Sequence, residues 1–78
     1  MDYKRYKHRS LQHLVERALR RNTFTATQPI RVIVREGAIW LYGSVSHADM
    51  IPEAVAVAEA VAPSVRVYSR LRVRSVRV

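Results

Sequence analysis

Between Ile30 and Ser46 the chain reads IRVIVREGAIWLYGSVS, and this stretch restricts the fold more than any other. Aliphatic residues recur at every second position on both sides of Glu36-Gly37, the pattern of two strands joined by a tight turn. With a two-residue turn, Arg35 faces Ala38, Val34 faces Ile39, Ile33 faces Trp40, Val32 faces Leu41 and Arg31 faces Tyr42. Cross-strand partners share a face. Ile30, Val32, Val34, Ile39, Leu41 and Val45 therefore make one continuous apolar face that must be covered, while Arg31, Ile33, Arg35, Trp40 and Tyr42 occupy the other. Gly37 suits the positive φ that such a turn requires, but Glu36 suits it less well than Asn or Asp would, so a turn with a glycine bulge is an equal alternative. Gly43 falls on the apolar face, where the missing side chain lets a helix approach the backbone.

Helical periodicity supplies the cover. Leu11, Leu14, Val15, Ala18 and Leu19 recur at i, i+3, i+4, i+7 and i+8, which defines one face of a first helix running from Ser10. Arg17, Arg20 and Arg21 suit its negative pole, and Asn22 is an acceptable cap. Thr23 to Gln28 is rich in β-branched and polar residues, and Pro29 biases Gln28 towards extended backbone, so this segment is a linker into the first strand. Beyond the hairpin, Ile51, Ala54, Val55, Ala58, Val61 and Ala62 form the apolar stripe of a second helix that Pro63 ends. Two starts are compatible with the sequence. Ser46 and Asp49 have the spacing of a capping box, whereas Pro52 fits best as the first regular helical residue after an irregular turn. Small residues dominate the stripe, so close packing on the sheet is expected.

Val65 to Val73 alternates again, with Val65, Val67, Ser69, Leu71 and Val73 on one face and Arg66, Tyr68, Arg70 and Arg72 on the other. At Ser75 the parity breaks, which predicts a bulge or a frayed end. The expected fold is a single small α+β domain of order α-β-β-α-β, a three-stranded mixed sheet with two helices packed on one face. A right-handed crossover places the third strand parallel to the second, most economically beside the first, which then lies in the middle. The other sheet face has no element left to cover it.

At 78 residues the chain has room for one domain, and a domain of this size buries only about 60–65% of its unfolded surface, so the core must be efficient. Residues 1–9 carry Lys4, Arg5, Lys7 and Arg9 with little apolar content and read as a basic N-terminal tail or a weak first turn; residues 10–78 form the domain. There is no cysteine for disulfides or thiolate metal ligands. No targeting segment and no transmembrane run is visible, so the expected location is cytoplasmic, peripheral at the inner face of the membrane if the domain binds there. Fourteen Lys and Arg against six Asp and Glu give a net charge of +8, which favours anionic partners.

Catalytic chemistry finds little support. His13 and Glu16 are one turn apart, but no third metal ligand accompanies them, and exposed polar residues on a helix explain the pair. There is no phosphate-cradling glycine loop, nucleophile elbow or paired-carboxylate motif. Neither enzymatic activity nor a cofactor is expected.

The residues Val15-x-x-Ala18-Leu19, Ile30-x-Val32-x-Val34, Gly37-x-Ile39-x-Leu41-x-Gly43-x-Val45-Ser46 and Val67-x-Ser69-x-Leu71-x-Val73 together resemble the BON domain, a family named for bacterial osmotically induced and nodulation proteins. The likeness covers roughly Leu11 to Val73 and rests on apolar periodicity with two glycines. It implies the same α-β-β-α-β order, a role in binding phospholipid surfaces, and no catalytic residues; some relatives are paired with peptidoglycan-binding modules or bind small cations. Two departures from the family pattern stand out: Pro63-Ser64 where Gly-Val is usual, and Ser69 where Asn is usual.

The candidate binding residues are Arg31, Arg35, Trp40, Tyr42, Arg66, Tyr68, Arg70 and Arg72, all on the uncovered face. Guanidinium groups bond phosphates bidentately, and the aromatic side chains suit a lipid interface or stacking on bases. A phospholipid surface is the expected partner. The alternatives are nucleic acid on the same face, self-association through this face or a strand edge with Ile33 and Trp40 at its centre, and a solvated surface with no ligand.

Overall fold

The hairpin closes as the alternation requires. The computed structural model describes residues 8–74, with α1 at His8–Arg21, β1 at Ile30–Arg35, β2 at Ala38–Val45, α2 at Met50–Val61 and β3 at Arg66–Val73. Arg35 pairs with Ala38, and the remaining pairs follow to Arg31 with Tyr42 in the expected register. Glu36 and Gly37 have φ of 53° and 73°. Positive φ at both central residues is the turn geometry whose twist matches that of the strands, so no bulge is needed.

The two helices cover the apolar face, α1 over β1 and α2 over β3 and β2, and they touch each other. Leu11, Val15 and Leu19 from α1 meet Val32, Val34, Ile39 and Leu41 from the sheet, Ala54 and Ala58 from α2 and Ala62 at its C-terminal cap. The α1 ridge is narrower than the sequence pattern suggests: Leu14 is 40% exposed. A three-stranded sheet shared by two helices leaves each little more than one i, i+4 ridge to bury. In α2 the buried ridge is entirely alanine, which draws the helix close to the sheet while Val55, Val57 and Val61 pack around its flanks. α1 begins at His8, and the expected tail before it, like the expected irregularity at Ser75, lies outside the described residues.

Neither expected start of α2 is observed. The helix begins at Met50, after Asp49 with no side-chain cap, and the Ser46 hydroxyl instead points to Met50 Sδ at 3.5 Å. Pro52 is the third residue of the helix, where an N–H would have had no intrahelical acceptor. At the other end the Val65 N–H donates to the Ala62 carbonyl at 3.0 Å, so Pro63-Ser64 still makes a tight connection into β3.

The strand order is β1-β2-β3, with β3 parallel to β2. This corrects the placement of β1 in the middle. Crossover handedness alone allows β3 on either side of the hairpin; the side chains decide. β2 is the strand with apolar residues on both faces: Ile39, Leu41 and Val45 are buried beneath the helices, and Trp40 and Tyr42 are half-buried on the opposite side. β1 exposes Arg31, Ile33 and Arg35 and suits an edge. With β1 in the middle, its arginines would lie directly against those of β3.

Gly43 is also explained differently. A Cβ there would lie 2.0 Å from the Pro29 carbonyl oxygen, and φ is 120°, so the close neighbour is the chain leading into β1 rather than a helix. The linker itself is well organised. Asn22 Oδ1 accepts the N–H groups of Phe24 and Thr25 at 2.8 and 3.2 Å, its Nδ2 donates to Glu53 Oε2 at 3.0 Å, and the buried Thr25 hydroxyl donates to the Leu19 carbonyl at 2.6 Å. These bonds fasten the end of α1 to α2.

Candidate functional site

The register of the sheet turns the uncovered face into ordered rows. Across β1, β2 and β3 they read Arg35–Ala38–Arg66, Ile33–Trp40–Tyr68 and Arg31–Tyr42–Arg70, followed by Ser44–Arg72. An aromatic row is thus bracketed by arginines on both sides. Three two-residue steps separate the first row from the last, a span of about 20 Å on strand geometry. All eight expected residues are therefore on one face, although Arg72 sits a row beyond the aromatic centre. Ile33, 37% exposed, completes the apolar row.

Trp40 is the centre of contact. Its ring stacks on Tyr68 with centroids 4.6 Å apart and 25° between planes. The Arg35 and Arg70 guanidiniums lie over it, with Cζ 5.2 and 5.9 Å from the ring centroid. The face thus reduces the cost of a solvent-facing tryptophan by covering it with its own cations, and Trp40 is half-buried rather than freely exposed. A ligand stacking on this ring would have to displace groups already there.

Arg31, Arg66 and Arg72 have no such partner, and all three are exposed. Among the described residues, no arginine on this face forms an ion pair; the one ion pair is His13 Nδ1 to Glu16 Oε1 at 3.7 Å, on α1. Apart from Glu36 at the hairpin turn, the described carboxylates are Glu16, Asp49, Glu53 and Glu59, on or beside the helices. The carboxylates are therefore concentrated in the helical layer, where the exposed Arg9, Arg17, Arg20 and Arg21 of α1 accompany them, while the open sheet face carries arginines with Glu36 alone at its edge. Such an array raises the local concentration of anions and can hold several phosphate oxygens at once.

Sequence reasoning missed a shallow cleft at the hairpin end of this face. It has a volume of about 360 Å³ and is lined by Glu36, Gly37, Ala38, Trp40, Arg66 and Tyr68. Only the adjacency of β2 and β3 brings Arg66 and Tyr68 to the turn, so the wrong strand order concealed it. Arg74 was missed as well, in a structural part: its guanidinium donates to Ser44 Oγ at 3.1 Å and Gln28 Oε1 at 3.2 Å, tying the end of β3 across the sheet. For metal or catalytic chemistry the His13–Glu16 pair has no companion, since no cluster of three or more His, Cys, Asp or Glu occurs among the described residues.

A two-layer α+β domain with one sheet face left open, cationic and centred on aromatics is the architecture of a small binding module. The model of the BON domain matches residues 9–75, nearly the whole chain, and the protein belongs to that family of binding modules. The comparison with curated proteins found no match. No helix among the described residues is long and apolar enough to cross a membrane.

Proposed function

We propose that this BON domain attaches peripherally to an anionic phospholipid surface, at the inner face of the membrane, through the open sheet face. The observation that carries the reading is the set of five guanidinium groups, Arg31, Arg35, Arg66, Arg70 and Arg72, on one side of the sheet, none of them paired to a carboxylate among the described residues. Their layout over about 20 Å, in rows about 7 Å apart along the strands, suits an extended plane of phosphates. The state of Trp40 favours lipid over nucleic acid. Single-stranded nucleic acids gain much of their affinity by stacking bases on open aromatic rings, and here the tryptophan is already engaged by Tyr68, Arg35 and Arg70. A headgroup layer needs only the outward-facing N–H groups of the arginines, with Tyr68 and Ile33 at the interface.

Co-sedimentation with anionic and neutral liposomes, with RNA and DNA as competitors over a salt titration, tests this. The expected result is binding to anionic vesicles that persists against nucleic acid and weakens as salt rises. Preferential retention on nucleic acid with a steep salt slope would replace the lipid reading, and binding to neither would refute the face as an anion site.

A further inference from the structure

Glu36 is anomalous in three respects. It is the carboxylate at the hairpin end of the cationic face and forms no ion pair among the described residues, although Arg35 adjoins it in sequence and Arg66 lines the same cleft; Glu59 lies on the far side of Arg66, in a separate cleft. It is the one non-glycine among the described residues with positive φ, a conformation in which Asn, Asp or Gly is accommodated more easily. It also lines the cleft that Trp40, Tyr68 and Arg66 line.

From this pairing of one acid and one guanidinium in a single cleft, we infer that the hairpin end binds a zwitterionic aminophosphate: a phosphodiester joined by a two-carbon spacer to a primary ammonium, as in an ethanolamine headgroup. Arg66 takes the phosphate oxygens and Glu36 accepts hydrogen bonds from the ammonium. This assignment rests on the lipid reading and names a headgroup for one part of the same face. A quaternary ammonium fits less well. Such cations are held by open aromatic faces, and the Trp40 ring is already covered by the Arg35 and Arg70 guanidiniums and stacked on Tyr68. What the cleft offers the ligand's cation is the Glu36 carboxylate beside the partly exposed Tyr68, and a carboxylate binds a primary ammonium more strongly than a quaternary one because only the former donates charge-assisted hydrogen bonds.

The experiment compares the full chain with Glu36→Gln on two kinds of vesicle with equal phosphatidylglycerol content, the remainder being phosphatidylethanolamine in one and phosphatidylcholine in the other. In parallel, soluble glycerophosphoethanolamine and glycerophosphocholine are titrated while the amide resonance of Gly37 and the indole resonance of Trp40 are followed. The wild type is expected to bind the ethanolamine vesicles several-fold more tightly, and only glycerophosphoethanolamine should shift the two resonances. Glu36→Gln should bring the vesicle ratio to one and abolish those shifts, even if removal of a negative charge strengthens binding to both vesicles. A wild-type ratio of one, or a preference that survives in Glu36→Gln, overturns the inference while leaving anionic attachment intact. If no vesicle is bound but glycerophosphoethanolamine still shifts the resonances in a Glu36-dependent way, the membrane reading falls and the cleft stands as a site for the soluble compound. Absence of both responses refutes both.

Discussion

Reversing Arg31 and Arg72 together is the cleanest perturbation of the open face. Both side chains are exposed, neither is among the guanidiniums over Trp40, and neither lines the cleft at the hairpin turn. Replacing them should therefore change melting behaviour little, within about 0.5 kcal/mol per site, as for surface positions without special contacts. Each basic side chain close to an anionic leaflet contributes about 1 kcal/mol. Neutralising both as Arg31→Gln with Arg72→Gln thus removes about 2 kcal/mol, or roughly 30-fold in affinity. Reversing both to Glu adds repulsion of similar size, for a loss of about 4 kcal/mol, on the order of 1000-fold. Vesicle titration at ionic strength near 0.1 M, where the screening length is about 10 Å, keeps these contributions measurable. A double Glu variant that folds normally and binds anionic vesicles as tightly as the parent would place the contact on another surface and refute the reasoning.

The remaining predictions concern the frame that holds this face. Gly43→Ala places a Cβ 2.0 Å from the Pro29 carbonyl oxygen at a φ of 120°; a cost of roughly 3 kcal/mol is expected, lowering Tm in a thermal melt by about 12 °C or more, and an unchanged Tm would show that the linker moves aside freely. Glu36→Asn relieves the positive φ at the turn and should stabilise by about 0.5–1 kcal/mol, visible as a rise of a few degrees in the same melt; a fall would mean that Glu36 makes a stabilising contact. Ile39→Asp buries a charge at a fully buried position between sheet and helices and should abolish cooperative unfolding by circular dichroism, whereas Arg66→Asp should leave it intact; equal damage from both would reverse the assignment of faces.

How much of this was legible in the sequence depended on whether the feature was local. The hairpin register needed only the alternation around Glu36-Gly37, because a shift by one residue would have turned Val32, Val34, Ile39 and Leu41 outward. The face residues followed from the same parity, and all eight are on one face. Strand order was not legible from connectivity, since a crossover through α2 can return on either side of the hairpin. The information lay instead in β2, whose residues Trp40 and Tyr42 make it apolar on both faces. Leu14 matched the helical period yet remained 40% exposed, because periodicity does not reveal how wide a ridge the sheet can cover. The start of α2 was obscured by Pro52, which is tolerated two residues inside the helix because the first turn needs no intrahelical acceptors. The cleft combines Glu36 with Arg66 and Tyr68, residues about thirty positions apart, and only the sheet order brings them together.

The most direct measurement uses Trp40, the single tryptophan of the chain, at the centre of the open face. Its fluorescence would be followed on anionic vesicles containing lipids with a quencher placed either at the headgroup or deep in the acyl chains. Attachment through the sheet face predicts strong quenching from the headgroup level and weak quenching from depth, because the ring lies beneath the Arg35 and Arg70 guanidiniums. Protein that co-sediments with those vesicles while Trp40 remains unquenched at every depth would contradict the account.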